Sequence, residues 1–160
     1  MSKKKNDKKV KQPISVSSIS RIVTIASGVF MVIAIFVFFA PFMSFNTTGF
    51  TFAFGLNNIP LSAGTLVAFI LFVIALGVIV ILALNQFLNF FRLSDKVNKI
   101  LAIALGIIVI VGSVLVFTTK ALVGAISATS LGGGAIASGV FSLLSVGALI
   151  LSSFLRSIED

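Results

Sequence analysis

Residues 61–84 of the chain read LSAGTLVAFILFVIALGVIVILAL, an apolar run without a single charged residue. The uncharged stretch as a whole extends from residue 22 to residue 91. An α-helix rises about 1.5 Å per residue, so roughly 20 apolar residues cross the hydrocarbon core of a bilayer, which is about 30 Å thick. Backbone N–H and C=O groups in lipid must be bonded within their own segment. The run therefore predicts a transmembrane α-helix.

Three further apolar stretches have a similar length and predict the same structure. The four predicted spans cover about residues 22–42, 61–91, 97–119 and 135–155. Of the 160 residues, 58% are hydrophobic and only 10% are charged, whereas a soluble domain is about a quarter charged. This composition excludes an ordinary soluble domain, and it excludes disorder of the whole chain because disorder needs low hydrophobicity. We predict an all-α membrane protein built as a bundle of four transmembrane helices.

The basic residues fall on one side of this threading. Eleven of the twelve Lys and Arg residues lie before span 1, between spans 2 and 3 or within the first three residues of span 3, or after span 4, and Lys120 lies on the other side. Cytoplasmic segments carry the excess of Lys and Arg in membrane proteins. We therefore expect a multi-pass protein of the plasma (cytoplasmic) membrane with both termini in the cytoplasm. In this arrangement, residues 1–20 are a basic, disordered cytoplasmic tail, residues 21–156 the transmembrane domain and residues 157–160 a cytoplasmic C-terminus.

Two roles stay open for the basic N-terminal tail. It could bind headgroups of the anionic inner leaflet, at about 1 kcal/mol per cation, or it could serve only to fix the topology. The predicted headgroup contacts are Lys3, Lys4, Lys5, Lys8, Lys9, Lys11, Arg21 and Arg92. Nucleic acid is not expected as a partner. A basic segment before an apolar run is also typical of a cleaved signal peptide. The apolar run here has 19 residues and is longer than the apolar core of a signal peptide, so we expect an uncleaved signal-anchor.

The loops between the spans carry three further patterns. In the first outer loop, residues 46–54 read NTTGFTFAF, and an Asn…Gly turn before alternating Phe predicts a short β-hairpin, with an irregular Phe-anchored loop as the alternative. In the inner turn, Ser94 is predicted to cap the helix of span 3 and Asp95 to lie in its first turn. Residues 121–134 are expected to form an outer loop at the interface rather than to re-enter the membrane, because their three consecutive Gly are poor helix formers.

Span 4 carries a stripe of small residues at spacings of three and four. The predicted helix-packing stripe comprises Gly134, Ser138, Ser142, Ser145 and Ser152. At about 100° per residue these positions share one face of a helix, and small residues let helices approach closely in lipid. The pattern therefore favours helix packing. A polar path through the bundle is the alternative, but the apolar centre of each span lacks the ionisable residues that usually mark ion pathways.

The sequence lacks the residues on which most enzymes depend. It has no Cys and no His, and its four acidic residues lie in the tails or at the start of span 3. No pair of them has the spacing of metal ligands or of a general acid and base. We therefore expect a non-enzymatic protein without a catalytic, metal or cofactor site. The leading hypothesis is a scaffold or accessory subunit that acts through helix packing and the Phe-rich first outer loop. Its expected partners are membrane lipids, other membrane proteins or further copies of itself. The alternative is an oligomeric passive channel, a holin-like pore or a small-solute transporter.

Overall fold

The computed structural model describes residues 15–42, 47–57, 61–88, 93–118 and 131–156, and this part of the chain is helical without β-strands. Its α-helices are α1 Val16–Phe36, α2 Gly49–Phe54, α3 Ala63–Leu88, α4 Asp95–Phe117 and α5 Gly133–Arg156. A short 3₁₀ segment, Val37–Phe39, prolongs α1. Together with this extension, α1 is long and apolar enough to cross a membrane. The same holds for α3, α4 and α5. The predicted all-α class is thereby confirmed, with four helices that are long and apolar enough to span a membrane.

The four long helices form a ring in which neighbours run in opposite directions. Helix α1 packs against α3 and α5, and α4 lies between α3 and α5. The contact between α1 and α5 is the most extensive. Hydrogen bonds join Ser20 near the start of α1 to Ser152 near the end of α5, and Ala34 near the end of α1 to Ser138 near the start of α5. The first and last long helices are therefore antiparallel neighbours.

Charges and aromatic rings lie at opposite ends of this bundle. The Lys and Arg residues of the described ranges sit at the start of α1, the start of α4 and the end of α5, and we call this the basic end: Arg21, Lys96, Lys99 and Arg156. The opposite, aromatic end holds a cluster of rings whose neighbouring centroids are 4.5–6.0 Å apart, namely Phe38, Phe39, Phe42, Phe50, Phe54, Phe69 and Phe72. Such ring pairs add about 0.5–1.5 kcal/mol beyond the burial of their surface.

Helix α1 begins six residues before the predicted start of span 1, at Val16. The cause is local, because the Ser15 hydroxyl accepts a hydrogen bond from the Ser18 N–H at 3.3 Å and so caps the helix. Residues 16–20, which the sequence assigns to the tail, thus belong to the first helix. At its other end Ala40 is extended, as expected for a residue that precedes proline, here Pro41.

The start of α4 is as predicted. The Ser94 hydroxyl accepts a hydrogen bond from the Val97 N–H at 3.4 Å, and Asp95 occupies the first turn. Several predictions fall outside the described residues: the tail up to residue 14, the end of span 2 at residues 89–91, the end of span 3 at residue 119, the outer loop over residues 121–130, and residues 157–160. The last two residues of that predicted loop, Gly133 and Gly134, instead form the start of α5.

The β-hairpin predicted for the first outer loop is wrong, because residues 49–54 form α2. The Thr48 side chain caps the start of this helix, and Gly55 ends it in the left-handed conformation with a φ of 64°. Phe50 and Phe54 share one face of a strand, but they are also one helical turn apart, and their ring centroids lie 4.5 Å from each other. The two local caps decide between these structures. Pairing in the described part of the loop is limited to an isolated β-bridge.

The main chain around Phe42 closes the aromatic end. Its N–H donates to the Thr47 carbonyl at 2.8 Å, and its carbonyl accepts from the Gly132 N–H at 2.7 Å. The Pro41 carbonyl accepts from the Gly134 N–H at 3.0 Å. A Cβ added to Gly134 would come within 2.6 Å of the Pro41 carbonyl oxygen. These contacts join the segment after α1 to the start of α5.

Candidate functional site

The contact between α1 and α5 is a seam of hydroxyl-bearing residues inside the bundle. Buried positions recur at alternating spacings of four and three on both helices: Ser20, Thr24, Ser27, Met31 and Ala34 on α1, and Ser138, Ser142, Ser145, Leu149 and Ser152 on α5. A repeat of about 3.5 residues keeps one face of each helix on its partner. We name the hydroxyl-bearing members the serine seam, and each is at most 3% exposed: Ser20, Thr24, Ser27, Ser138, Ser142, Ser145 and Ser152.

Two pairs of serines in the seam bond reciprocally across the helices. Ser27 Oγ donates to the Ser145 carbonyl at 2.8 Å, and Ser145 Oγ donates to the Ser27 carbonyl at 2.7 Å. Seven residues away on each helix, Ser20 and Ser152 repeat the arrangement at 3.0 and 2.9 Å. A hydroxyl reaches the main chain of another helix only where the two backbones are close, and small residues permit that approach. The seam is therefore a tight helix–helix contact.

The seam continues in the same register toward the aromatic end. Ser138 Oγ donates to the Ala34 carbonyl at 2.9 Å, and no return bond is made because α1 has alanine there. Ser142 Oγ lies 2.7 Å from Ser113 Oγ and so connects α5 to α4. The structure thus brings four residues of the predicted stripe into one seam, whereas Gly134 lies beyond it against the segment after α1.

Near the basic end, α3 contributes a polar side chain to the seam. Thr24 Oγ1 lies 2.9 Å from Gln86 Oε1 and 3.0 Å from the Ser20 carbonyl, and it also contacts the Ser152 hydroxyl. Three helices meet through this one hydroxyl group.

A small pocket lined by both polar and apolar side chains lies beside this junction. It has a volume of about 20 Å³, and its lining includes Gln86, Asn98 and Ser152. Arg156 Nε lies 2.9 Å from Asp95 Oδ1 at its edge. Asn98 is 8% exposed, and neither polar atom of its amide has a hydrogen-bond partner among the described residues. Buried amides are as a rule hydrogen-bonded, and a cavity of this size admits a water molecule, so the pocket suits hydration rather than a larger ligand.

Among the predicted headgroup contacts, Arg21 lies in the described ranges. It is exposed, and its Cζ is 5.6 Å from the centroid of the Phe87 ring on α3. This is the geometry of a cation–π contact. The other predicted contacts lie outside the described residues: Lys3, Lys4, Lys5, Lys8, Lys9, Lys11 and Arg92.

The sequence predicts the α5 face of the seam but not all of its members. It assigns Ser20 to the tail, and it omits Ala34, Gln86 and Asn98. A usable signal exists, because small or hydroxyl-bearing residues in α1 and in α5 follow the same alternation of four and three. Matching these two patterns pairs the first span with the last.

No family model matches the chain, and comparison with curated proteins and with solved structures finds no similar protein. The class of protein is therefore defined by its geometry. Four long apolar helices, packed as an antiparallel bundle, are those of a multi-pass integral membrane protein.

Proposed function

We propose that this chain is a non-enzymatic membrane scaffold or accessory subunit that acts through the outer faces of its helices. The observation that carries the proposal is the serine seam, in which every hydroxyl has a hydrogen-bond partner inside the protein. These polar groups hold the bundle together. The outward surface along the helices is mainly apolar and is free for contact with other molecules.

The outward faces of the long helices consist of large apolar side chains. Ile22 on α1, Ile107 on α4 and Phe154 on α5 are 63%, 61% and 59% exposed. Such surfaces fit either the hydrocarbon of the bilayer or the helices of another membrane protein. The proposed partners are accordingly membrane lipids, other membrane proteins and further copies of this chain.

An oligomeric passive channel, a holin-like pore or a small-solute transporter is the competing proposal. A water-filled path needs polar or charged groups along it. The buried serine hydroxyls are bonded to one another and to the main chain, and Met31, Phe72 and Val109 fill the core with no exposed surface. A pore between copies would be lined by the apolar outer faces, which favours the scaffold.

Site-specific photocrosslinking in native membranes tests the scaffold role. A photoreactive residue at Ile107, which faces outward, is expected to give protein adducts of discrete mass. The same residue at Val109, two positions away and fully buried, is the matched control and is expected to give none. Lipid adducts alone at Ile107, Ile22 and Phe154 would contradict the proposal.

Reconstitution in liposomes separates the scaffold from the channel. The scaffold predicts that ions and small dyes leak no faster than from protein-free liposomes of the same lipid composition. Leakage that rises with the amount of reconstituted protein would favour the channel and overturn the scaffold.

We further propose that the basic end faces the cytoplasm and that the membrane is the plasma (cytoplasmic) membrane. The support is the position of the described Lys and Arg residues at one end of the bundle, because cytoplasmic segments are enriched in them. The chain has no Cys, and Lys96 and Thr118 are exposed at opposite ends of α4. In intact cells an impermeant maleimide is expected to label Thr118→Cys, and to label Lys96→Cys only after permeabilisation. The opposite pattern would reverse the orientation.

A further inference from the structure

A groove of about 380 Å³ opens between α1 and α3 on the outer surface of the bundle. Its lining is apolar and includes Ile25, Gly28 and Val32 from α1 with Ile79 and Val80 from α3. Gly28 leaves the floor open, since a Cβ built there would meet only the Ile79 side chain, at 3.6 Å. The volume lies within the range of about 300–1,000 Å³ that is typical of ligand pockets. The two helices thus leave room for an elongated apolar group.

A cation sits directly beyond the basic end of this groove. Arg21 is four residues before Ile25, and its ring partner Phe87 is four residues after Ala83, which also lines the groove. Residues four apart lie on the same helix face. The Arg21–Phe87 contact therefore lies in line with the groove between α1 and α3. From Arg21 to Val32 the helix rises about 16 Å.

The geometry of Arg21 suits an anion. A guanidinium carries its N–H donors in the plane of the group, and their fork matches the oxygens of a phosphate. Arg21 is exposed and makes its described contact with the Phe87 ring. Its charge is therefore accessible at the height where the apolar groove ends.

We propose that the groove binds one anionic phospholipid, with an acyl chain along its lining and the phosphate on Arg21. A phospholipid carries its phosphate beyond its acyl chains, which matches a cation beyond an apolar groove. A transmembrane helix of a partner would fill the groove without supplying an anion to Arg21. The net charge of +8 adds to the attraction. This site specifies the lipid contact that is part of the proposed function. Only the binding of the headgroup depends on that earlier proposal.

Native mass spectrometry of the full chain, released from detergent, tests the headgroup. Phosphatidylglycerol and phosphatidylcholine with the same acyl chains are titrated separately. One equivalent of phosphatidylglycerol is expected to bind about fivefold more tightly than phosphatidylcholine. Arg21→Gln is expected to remove that preference. Lys96→Gln removes the same charge from the basic end outside the groove, and the preference should survive. Equal affinity of the unmodified chain for both lipids would overturn the proposal.

Gly28→Leu tests the groove independently of the headgroup, because the leucine side chain would occupy it. Loss of the tightly bound equivalent is expected. Gly77→Leu is the control, since nothing lies within 4 Å of an added Cβ on that face of α3. If Gly28→Leu retains the bound lipid, the groove is not the site. If this variant still prefers phosphatidylglycerol, that preference comes from the general attraction of the basic end for anionic lipids and not from the groove.

Photocrosslinking from α3 in native membranes does not depend on the folding of Gly28→Leu. A photoreactive residue at Val80, inside the groove, is expected to yield a phospholipid adduct that decreases with Arg21→Gln. Ile81 is the control, because it is 40% exposed at the same depth but lies outside the groove lining. Adducts of Val80 to a protein or to a second copy, or equal lipid adducts at Val80 and Ile81, would overturn the assignment.

Discussion

Ser27 and Ser145 each donate a hydroxyl hydrogen to the other residue's main-chain carbonyl, at 2.8 and 2.7 Å. Because the two bonds run in opposite directions between the same two residues, a shift of either helix by one position breaks both. The second reciprocal pair, Ser20 and Ser152, lies seven residues away and obeys the same register. The serine seam therefore specifies how α1 and α5 align, as well as holding them close.

Substitution of the reciprocal serines measures this contribution. Ser27→Ala and Ser145→Ala each remove one donor, so each is expected to lower the free energy of unfolding by about 0.6 kcal/mol, with about 1.7 kcal/mol as an upper bound. The double variant is expected to lose less than the sum, because the first loss already loosens the shared contact. The measurement is reversible unfolding in bicelles. Ser153→Ala is the control, since its hydroxyl bonds within α5 to the Ile150 carbonyl, and an equal loss there would argue against the seam.

The start of α5 offers a matched pair of glycines. Gly134→Ala places a Cβ within 2.6 Å of the Pro41 carbonyl oxygen, so we expect a loss of roughly 1–3 kcal/mol in unfolding free energy from overpacking. Gly133→Ala meets nothing within 4 Å, and alanine favours the helix over glycine. This variant is expected to match or exceed the parent in thermal stability in detergent. Equal melting temperatures of the two variants would refute the close approach at the aromatic end.

A second pair of glycines probes the contact between α3 and α4. A Cβ at Gly112 would lie 2.7 Å from Cε1 of Phe72, a ring with no exposed surface. Gly112→Ala is expected to cost roughly 1–3 kcal/mol of unfolding free energy, and the additional change Phe72→Leu is expected to recover part of it. Gly77→Ala, on the open face of α3, is expected to be neutral or stabilising by up to about 1 kcal/mol. Absence of any rescue by Phe72→Leu would speak against this ring as the obstacle.

Substitution of the adjacent residues Ser94 and Asp95 is expected to lower the free energy of unfolding by different amounts. Ser94→Ala removes the side-chain cap and should lower the unfolding free energy by about 0.5–2 kcal/mol. Asp95→Asn removes an ion pair with Arg156 whose side chains are 41% and 28% exposed, and such pairs contribute at most about 1 kcal/mol. Chemical unfolding of both variants in the same detergent ranks them. A larger effect of Asp95→Asn would mean that the ion pair is better shielded than its exposure indicates.

The long spans could be predicted from sequence because lipid leaves few alternatives to a helix for an apolar run of this length. The first outer loop could not, because Phe at alternate positions fits both a strand and one turn of helix. Its structure follows from the caps at Thr48 and Gly55. Whether these residues act as caps depends on the path of the chain before and after them. The start of α1 at Val16 was obscured because its first turn is polar, although Ser15 is a favourable cap.

The serine seam could be predicted only in part, because its members on different helices are not equally visible in the sequence. The stripe on α5 is visible because its serines stand among large apolar residues. Two of its partners on α1 are not, since Ser20 precedes the charged Arg21 and Ala34 is unremarkable in an apolar run. Asn98 and Gln86 lie at the ends of their helices, where polar residues are expected in any case. Their approach to the seam depends on how α3 and α4 close around it.

The adjacency of α1 and α5 has a consequence for biosynthesis. The ribosome must add 118 residues after Ser27 before Ser145 exists, which takes roughly 6–24 s at about 5–20 residues per second. Throughout that interval the Ser27 hydroxyl lacks its partner on α5, and it can bond only back to the main chain of its own helix. A nascent chain halted before its last helix would carry the polar stripe of α1 without the partner helix that covers it in the finished bundle.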